Sequence, residues 1–226
     1  MAYHQTFTLG KNQNLKIVGY LVMFFPLIIY LMTRIFDHCE VQESISHYYY
    51  TVANSVFEVI ICSIATFMFL FRGYTPNDRI AHSLAGIFAM GVALFPCSIN
   101  RTACCILNLN DHTLRESIHY ISAAAMFTTL ACILWFLFTK SNKTVLDKWK
   151  KIRNGIYQVS SILIILSIVL IFLHSYHVID LSSVVSHPVF FLEWTGLWIF
   201  GICWLIKGDI ASDAIDLTNS LIRPKK

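Results

Sequence analysis

Charge is what this sequence has least of. Only 13% of its 226 residues are Asp, Glu, Lys or Arg, whereas 56% are hydrophobic, and the mean hydropathy is +0.61. Such a chain cannot clothe a soluble surface, which excludes a separate water-soluble domain and leaves a polytopic membrane protein. It also lacks an internal repeat, a low-complexity stretch and a dividing linker. A missing repeat counts against the carrier architectures built from duplicated halves. No H-E-x-x-H occurs, so the helical zinc-protease signature is missing too. The first apolar run is followed by TRIFDHCE, with no small-x-small cleavage site, so it is expected to remain as a membrane span. The formal charge of +4 comes from Lys and Arg in short loops between apolar runs. It reads as a topology signal and not as a nucleic-acid surface.

What is present is a series of apolar segments at about 17–36, 51–71, 80–95, 116–138, 155–173 and 188–206. They predict a single-domain, all-α bundle of six transmembrane helices. Pro26 in the first is expected to kink it, with neighbours satisfying the freed carbonyl. In the third, Ala81, Ala85, Ala89 and Ala93 recur every fourth residue beside Gly86 and Gly91, which predicts close helix contacts and a central place in the bundle. Fourteen of the 17 Lys and Arg fall on one side of the six segments, and only Arg34, Arg101 and Arg115 on the other. The positive-inside rule then puts both termini in the cytoplasm.

That orientation places seven of the nine histidines at the non-cytoplasmic side. The densest polar stretch, Asp37 to Glu58, lies there as well. A helix starting near Ser46 would align His47, Tyr50, Thr51, Asn54 and Glu58 on one face. It would carry Glu58 roughly 12 Å beyond Tyr50, inside the hydrocarbon zone. Glu116 and His119 share a face of the fourth segment, His174 and His177 lie three apart at the end of the fifth, and Glu193 lies in the sixth. Together these residues predict a polar funnel opening outward, with His47, Tyr50, Asn54, Glu58, Glu116, His119 and Glu193 as binding candidates.

Three functions fit such a funnel. The leading one is a lipid-binding or scaffold protein whose only certain partner is the bilayer. The second is a metal-dependent lipid hydrolase, with zinc on some of His47, His119, His174 and His177, Glu58 or Glu193 as base, and Ser46 orienting substrate. The third is a proton-linked transporter of a small molecule using Glu58. The tyrosines Tyr48, Tyr49 and Tyr50 and the tryptophans read as an interfacial aromatic belt. Of the cysteines, Cys39, Cys97, Cys104 and Cys105 lie toward the oxidising side, where a bridge from Cys39 is allowed. DKWKKIR reads as a basic cytoplasmic segment that fixes topology.

SISHYYYT, FRGYTPND, GVALFP, IHYISAA, RNGIY and EWTGLWIFGICWLIKG together resemble a family of uncharacterised bacterial six-span membrane proteins, over most of the chain. The resemblance implies a bacterial inner-membrane setting and no particular reaction. The serine-rich loop before the second segment is also similar to DRAM-type six-helix proteins. The hydrolase reading has an analogue in the alkaline ceramidases and adiponectin receptors, which hold zinc with Ser, Asp and His. This chain departs from them in having six predicted spans, H-x-x-H in place of H-x-x-x-H, and no Asp within a span.

Overall fold

Long helices form where the apolar runs lie. The computed structural model describes residues 11–71, 75–98, 113–141 and 148–208. Its helices are α1 (Lys11–Phe36), α2 (Asn54–Leu70), α3 (Pro76–Leu94), α4 (Thr113–Cys132), α5 (Lys148–Ser175) and α6 (Pro188–Lys207). A 3-10 turn, Ile45–Tyr50, precedes α2, and a π-helical segment, Ile133–Phe138, prolongs α4. No strand occurs among the described residues. Four stretches, Leu15–Phe36, Thr113–Phe138, Lys148–Ser175 and Pro188–Lys207, are long and apolar enough to cross a bilayer. Helix α2 is apolar but only 17 residues long, and α3 opens on the polar sequence PNDR.

Local chemistry sets the helix starts. Thr75 caps α3 by accepting from the Asp78 N–H, the Asp78 carboxylate accepts from the Thr75 N–H, and Pro76 fills the first turn. Helix α2 begins differently from the continuous helix expected from Ser46. The 3-10 turn stops at Thr51, whose backbone is extended. Its hydroxyl donates to the Tyr48 carbonyl and accepts from the Ala53 N–H, so a side chain supplies bonds that a helix ladder would have made.

Successive helices pack on one another, and α6 returns to α1, so the six close into a ring. Helix α3 takes a place in the wall between α2 and α4, not the central position expected from its alanines. Those alanines still serve close packing, since Ala85, Ala89 and Ala93 are all buried. In the turn before Pro26, where proline weakens the helix ladder, the Trp198 indole donates to the Met23 carbonyl at 2.8 Å. This bond ties α6 to α1 one residue after Val22, whose carbonyl is the one that Pro26 leaves without its helical donor.

One end of the ring carries the lysines. Lys140 Nζ lies 2.9 Å from the buried Asp78 carboxylate, and Lys150 and Lys207 both donate to the Phe138 carbonyl, at 2.9 and 3.0 Å. Just inside, Trp204 is completely buried against Phe71, His82, Phe138 and Phe200. Tyr48 and Tyr50 at the other end are also completely buried. These three aromatics are core residues, which corrects the interfacial-belt reading for them.

Candidate functional site

The end opposite the lysines is built around the 3-10 turn. Ser44 caps it: its Oγ accepts from the His47 N–H at 3.2 Å and pairs with His47 Nδ1 at 2.7 Å. Two bonds hold this segment against the first turns of α6. The Glu193 carboxylate accepts from the Ile45 N–H at 2.7 Å, and the Phe190 N–H donates to the Glu43 carbonyl at 3.0 Å. Ser46, directly after the second anchored residue, is buried.

His119 reaches Ser46 from α4. Its Nδ1 lies 2.7 Å from the Phe95 carbonyl oxygen, which can only accept, so Nδ1 carries the proton. Nε2 of the neutral ring is then a bare acceptor. It lies 3.0 Å from Ser46 Oγ, and the hydroxyl donates to it. The Phe95 carbonyl is free for this role because α3 ends at Leu94 and Pro96 follows, leaving a helix-end carbonyl without an intrahelical donor.

Beside the pair lies a cavity of about 60 Å³ lined by residues of the 3-10 turn and of α1, α2, α3, α4 and α6. Ser46 and Glu193 are the polar residues of its lining; the remainder is apolar, including Val22, Phe25, Ala89, Met126 and Leu130. On α2 the lining residues Phe57, Ile61, Ile64 and Met68 follow one helical stripe, about 16 Å long at the standard rise per residue.

Glu58 is not part of that stripe. Because α2 starts at Asn54, Glu58 is one turn into the helix and half-buried, hydrogen-bonded to Tyr49. The helix start expected near Ser46 is thus corrected to Asn54, which leaves Glu58 about one turn from the start of α2. Asn54 is a local brace, donating to the Tyr49 carbonyl at 2.6 Å. Tyr50 donates to the Cys97 carbonyl at 2.5 Å, joining the turn to the end of α3. Glu116, in the first turn of α4, has a buried Oε1 without a hydrogen-bond partner among the described residues, as do Nε and Nη2 of Arg115 beside it.

The four metal candidates do not assemble. Among the described residues, no group of three His, Cys, Asp or Glu side chains could hold a metal ion. Both ring nitrogens of His119 are taken by Phe95 and Ser46. His47 is held by Ser44 and by the Ser98 backbone. His174 is engaged by its own loop, through Ile179 and Leu181. His177 lies beyond the end of α5 in a left-handed conformation, φ 57°, and is exposed. The zinc reading therefore does not fit these donors.

Sequence reasoning weighed Cys97 only as a disulfide partner and missed Ser44 and the Phe95 carbonyl. Pro96 was the one signal for the last, since a proline there leaves helix-end carbonyls in need of donors. Cys97 is no nucleophile: burial, with the Glu193 charge adding, pushes its thiol up to about 12. Cys39 is disulfide-bonded. Cys97 is free, so it is not the partner. Cys104 and Cys105, the other cysteines considered, lie outside the described residues.

Burial also holds His47 below its ordinary value of 6.5, against the opposing pull of Glu43 and the Ser98 backbone. The neutral ring is favoured by the fold, and the unfolded chain binds the proton first. The stability this contributes is present above about pH 6.5 and lost as pH falls toward the depressed folded value. The melting temperature in detergent should decline on acidification below about pH 6.5, and His47→Gln should flatten that decline. An equal slope in both proteins would refute the assignment.

A scan against protein-family models finds no match for the chain, and searches of curated proteins and of solved structures find none either.

Proposed function

We propose that this chain is a six-span integral membrane protein that binds a lipid, with part of an acyl chain in the central cavity and the polar part at Ser46, His119 and Glu193. The observation that carries this reading is a cavity with an apolar wall whose polar lining groups are Ser46 and Glu193. A wall of that kind favours a ligand with one long apolar portion and one hydrogen-bonding end. The two methionines of the lining, Met68 and Met126, can shift to admit chain beyond the space present.

Helices α2 and α3 complete the six spans as members of the closed ring. The lysine end faces the cytoplasm with both termini, in keeping with the positive-inside rule. The disulfide at Cys39, on the opposite side of the ring, supports an oxidising compartment there. The resemblance noted above favours a bacterial inner membrane.

A phospholipid with a diazirine in its acyl chain, photolysed with the protein in nanodiscs, should label cavity residues such as Ile64 and Met126. Ala89→Leu, which fills part of the space, should cut that labelling several-fold while leaving helix content unchanged. Labelling confined to outward residues such as Ile87 and Val159, and indifferent to Ala89→Leu, would sink the reading.

A further inference from the structure

Building on the lipid-binding reading, we infer that the Ser46–His119 pair is a metal-independent catalytic dyad that cleaves a carboxylic ester of the bound lipid. The geometry required of a nucleophile and its general base is a hydrogen bond from the hydroxyl to an unprotonated nitrogen, with the base held in one tautomer by a third group. Ser46 Oγ and His119 Nε2, 3.0 Å apart, meet the first condition. The Phe95 carbonyl, 2.7 Å from Nδ1, meets the second, in the place where a carboxylate stands in the familiar triads.

Three further observations separate this pair from an ordinary interhelical hydrogen bond. Ser46 is one of the residues that line the space assigned to the lipid. The backbone just before it is pinned to α6 twice, through the Ile45 N–H to Glu193 and through the Glu43 carbonyl to Phe190. Its partner His119 is buried and held as one neutral tautomer, with the proton on Nδ1 toward Phe95 and Nε2 left as the acceptor toward Ser46. An acyl tail lying along the α2 stripe brings its ester carbonyl to the polar mouth, where Ser46 sits.

The reaction has two halves. In the first, the Ser46 proton passes to His119 Nε2 as Oγ bonds to the ester carbonyl carbon and the carbonyl electron pair moves to oxygen. The tetrahedral anion re-forms its carbonyl and breaks the bond to the alcohol, which leaves with the proton from Nε2. In the second, water gives a proton to Nε2 and attacks the acyl-serine, and collapse releases the carboxylic acid as Ser46 regains its proton. Nothing is oxidised or reduced, and water is the sole co-reactant. The Phe95 carbonyl keeps the Nδ1–H in place through both halves.

The test uses the full chain in nanodiscs with a long-chain alkyl fluorophosphonate and with p-nitrophenyl octanoate. Mass spectrometry of the wild-type protein should find one phosphonylated residue, Ser46, and the ester should be hydrolysed. Ser46→Ala should abolish both, and His119→Gln should slow both by roughly 100-fold or more, the usual contribution of a general base. Because the adduct is mapped on the wild-type chain, poor folding of a variant does not remove the test. An unmodified Ser46 in a protein whose cavity still takes the diazirine lipid would overturn the dyad and leave lipid binding standing. A cavity that takes no lipid would overturn both.

Discussion

Trp204→Ala should destabilise the folded protein by about 3–5 kcal/mol, the range for removing a large buried aromatic. Trp204 is fully buried and lies 5.4 to 5.9 Å, centroid to centroid, from Phe71, His82, Phe138 and Phe200. Those partners come from the ends of α2 and α3, from the π segment and from α6 itself, so one side chain fills the junction of several elements. In a bilayer, transfer from lipid to protein interior contributes little, because both are apolar, and the loss is mainly of packing contacts. Lysine-end bonds to the Phe138 carbonyl would be weakened with it, since Phe138 packs on Trp204. Chemical denaturation in a mild detergent measures the change. A loss under about 1 kcal/mol would mean that neighbouring rings close the gap, against the usual cost of such a cavity.

Gly201→Val should cost at least about 1–3 kcal/mol, the usual penalty of overpacking. A Cβ there would stand 2.6 Å from the Met23 side chain and 3.0 Å from the Gly19 carbonyl oxygen. Methionine can move aside, but the Gly19 backbone cannot without separating α1 from α6. The constraint is mutual, because a Cβ on Gly19 would lie 3.1 Å from the Gly201 carbonyl oxygen and 2.8 Å from Leu205. Val22, Phe25, Leu197 and Phe200 line the cavity from these two helices, so their separation would also loosen its wall. Gly155→Ala is the matched control. A Cβ at that position in α5 meets nothing within 4 Å, and the change should stabilise the helix by about 0.5–1 kcal/mol. Equal effects at the two glycines, read from detergent melting curves, would refute the close-contact account.

The helices were legible because apolar length is a strong local signal, and each helix overlaps the run that predicted it. Whether all six cross the bilayer was less so, since α2 and α3 are marginal in length or polarity. The site was partly legible. Ser46, His119 and Glu193 were all singled out, but on grounds of type and position, with metal chemistry attached. Their true relation depends on a backbone carbonyl of another helix, which no pattern of side chains reveals. One spacing argument failed: His47 and Glu58 share no helical face because Thr51 interrupts the helix between them. Helical spacing holds only where the helix is continuous.

The ring is sealed between the first and last of the described helices, which sets an order on its assembly. A chain made from its N-terminus can pair α1 with α2, and then α3, α4 and α5 in turn, while the seam stays open to lipid. The bonds from Phe190 and Glu193 to the turn around Ser46 form only once α6 has been inserted. The turn that carries Ser46 is therefore anchored last, and a nascent chain stalled before Pro188 carries it without the bonds at Glu43 and Ile45.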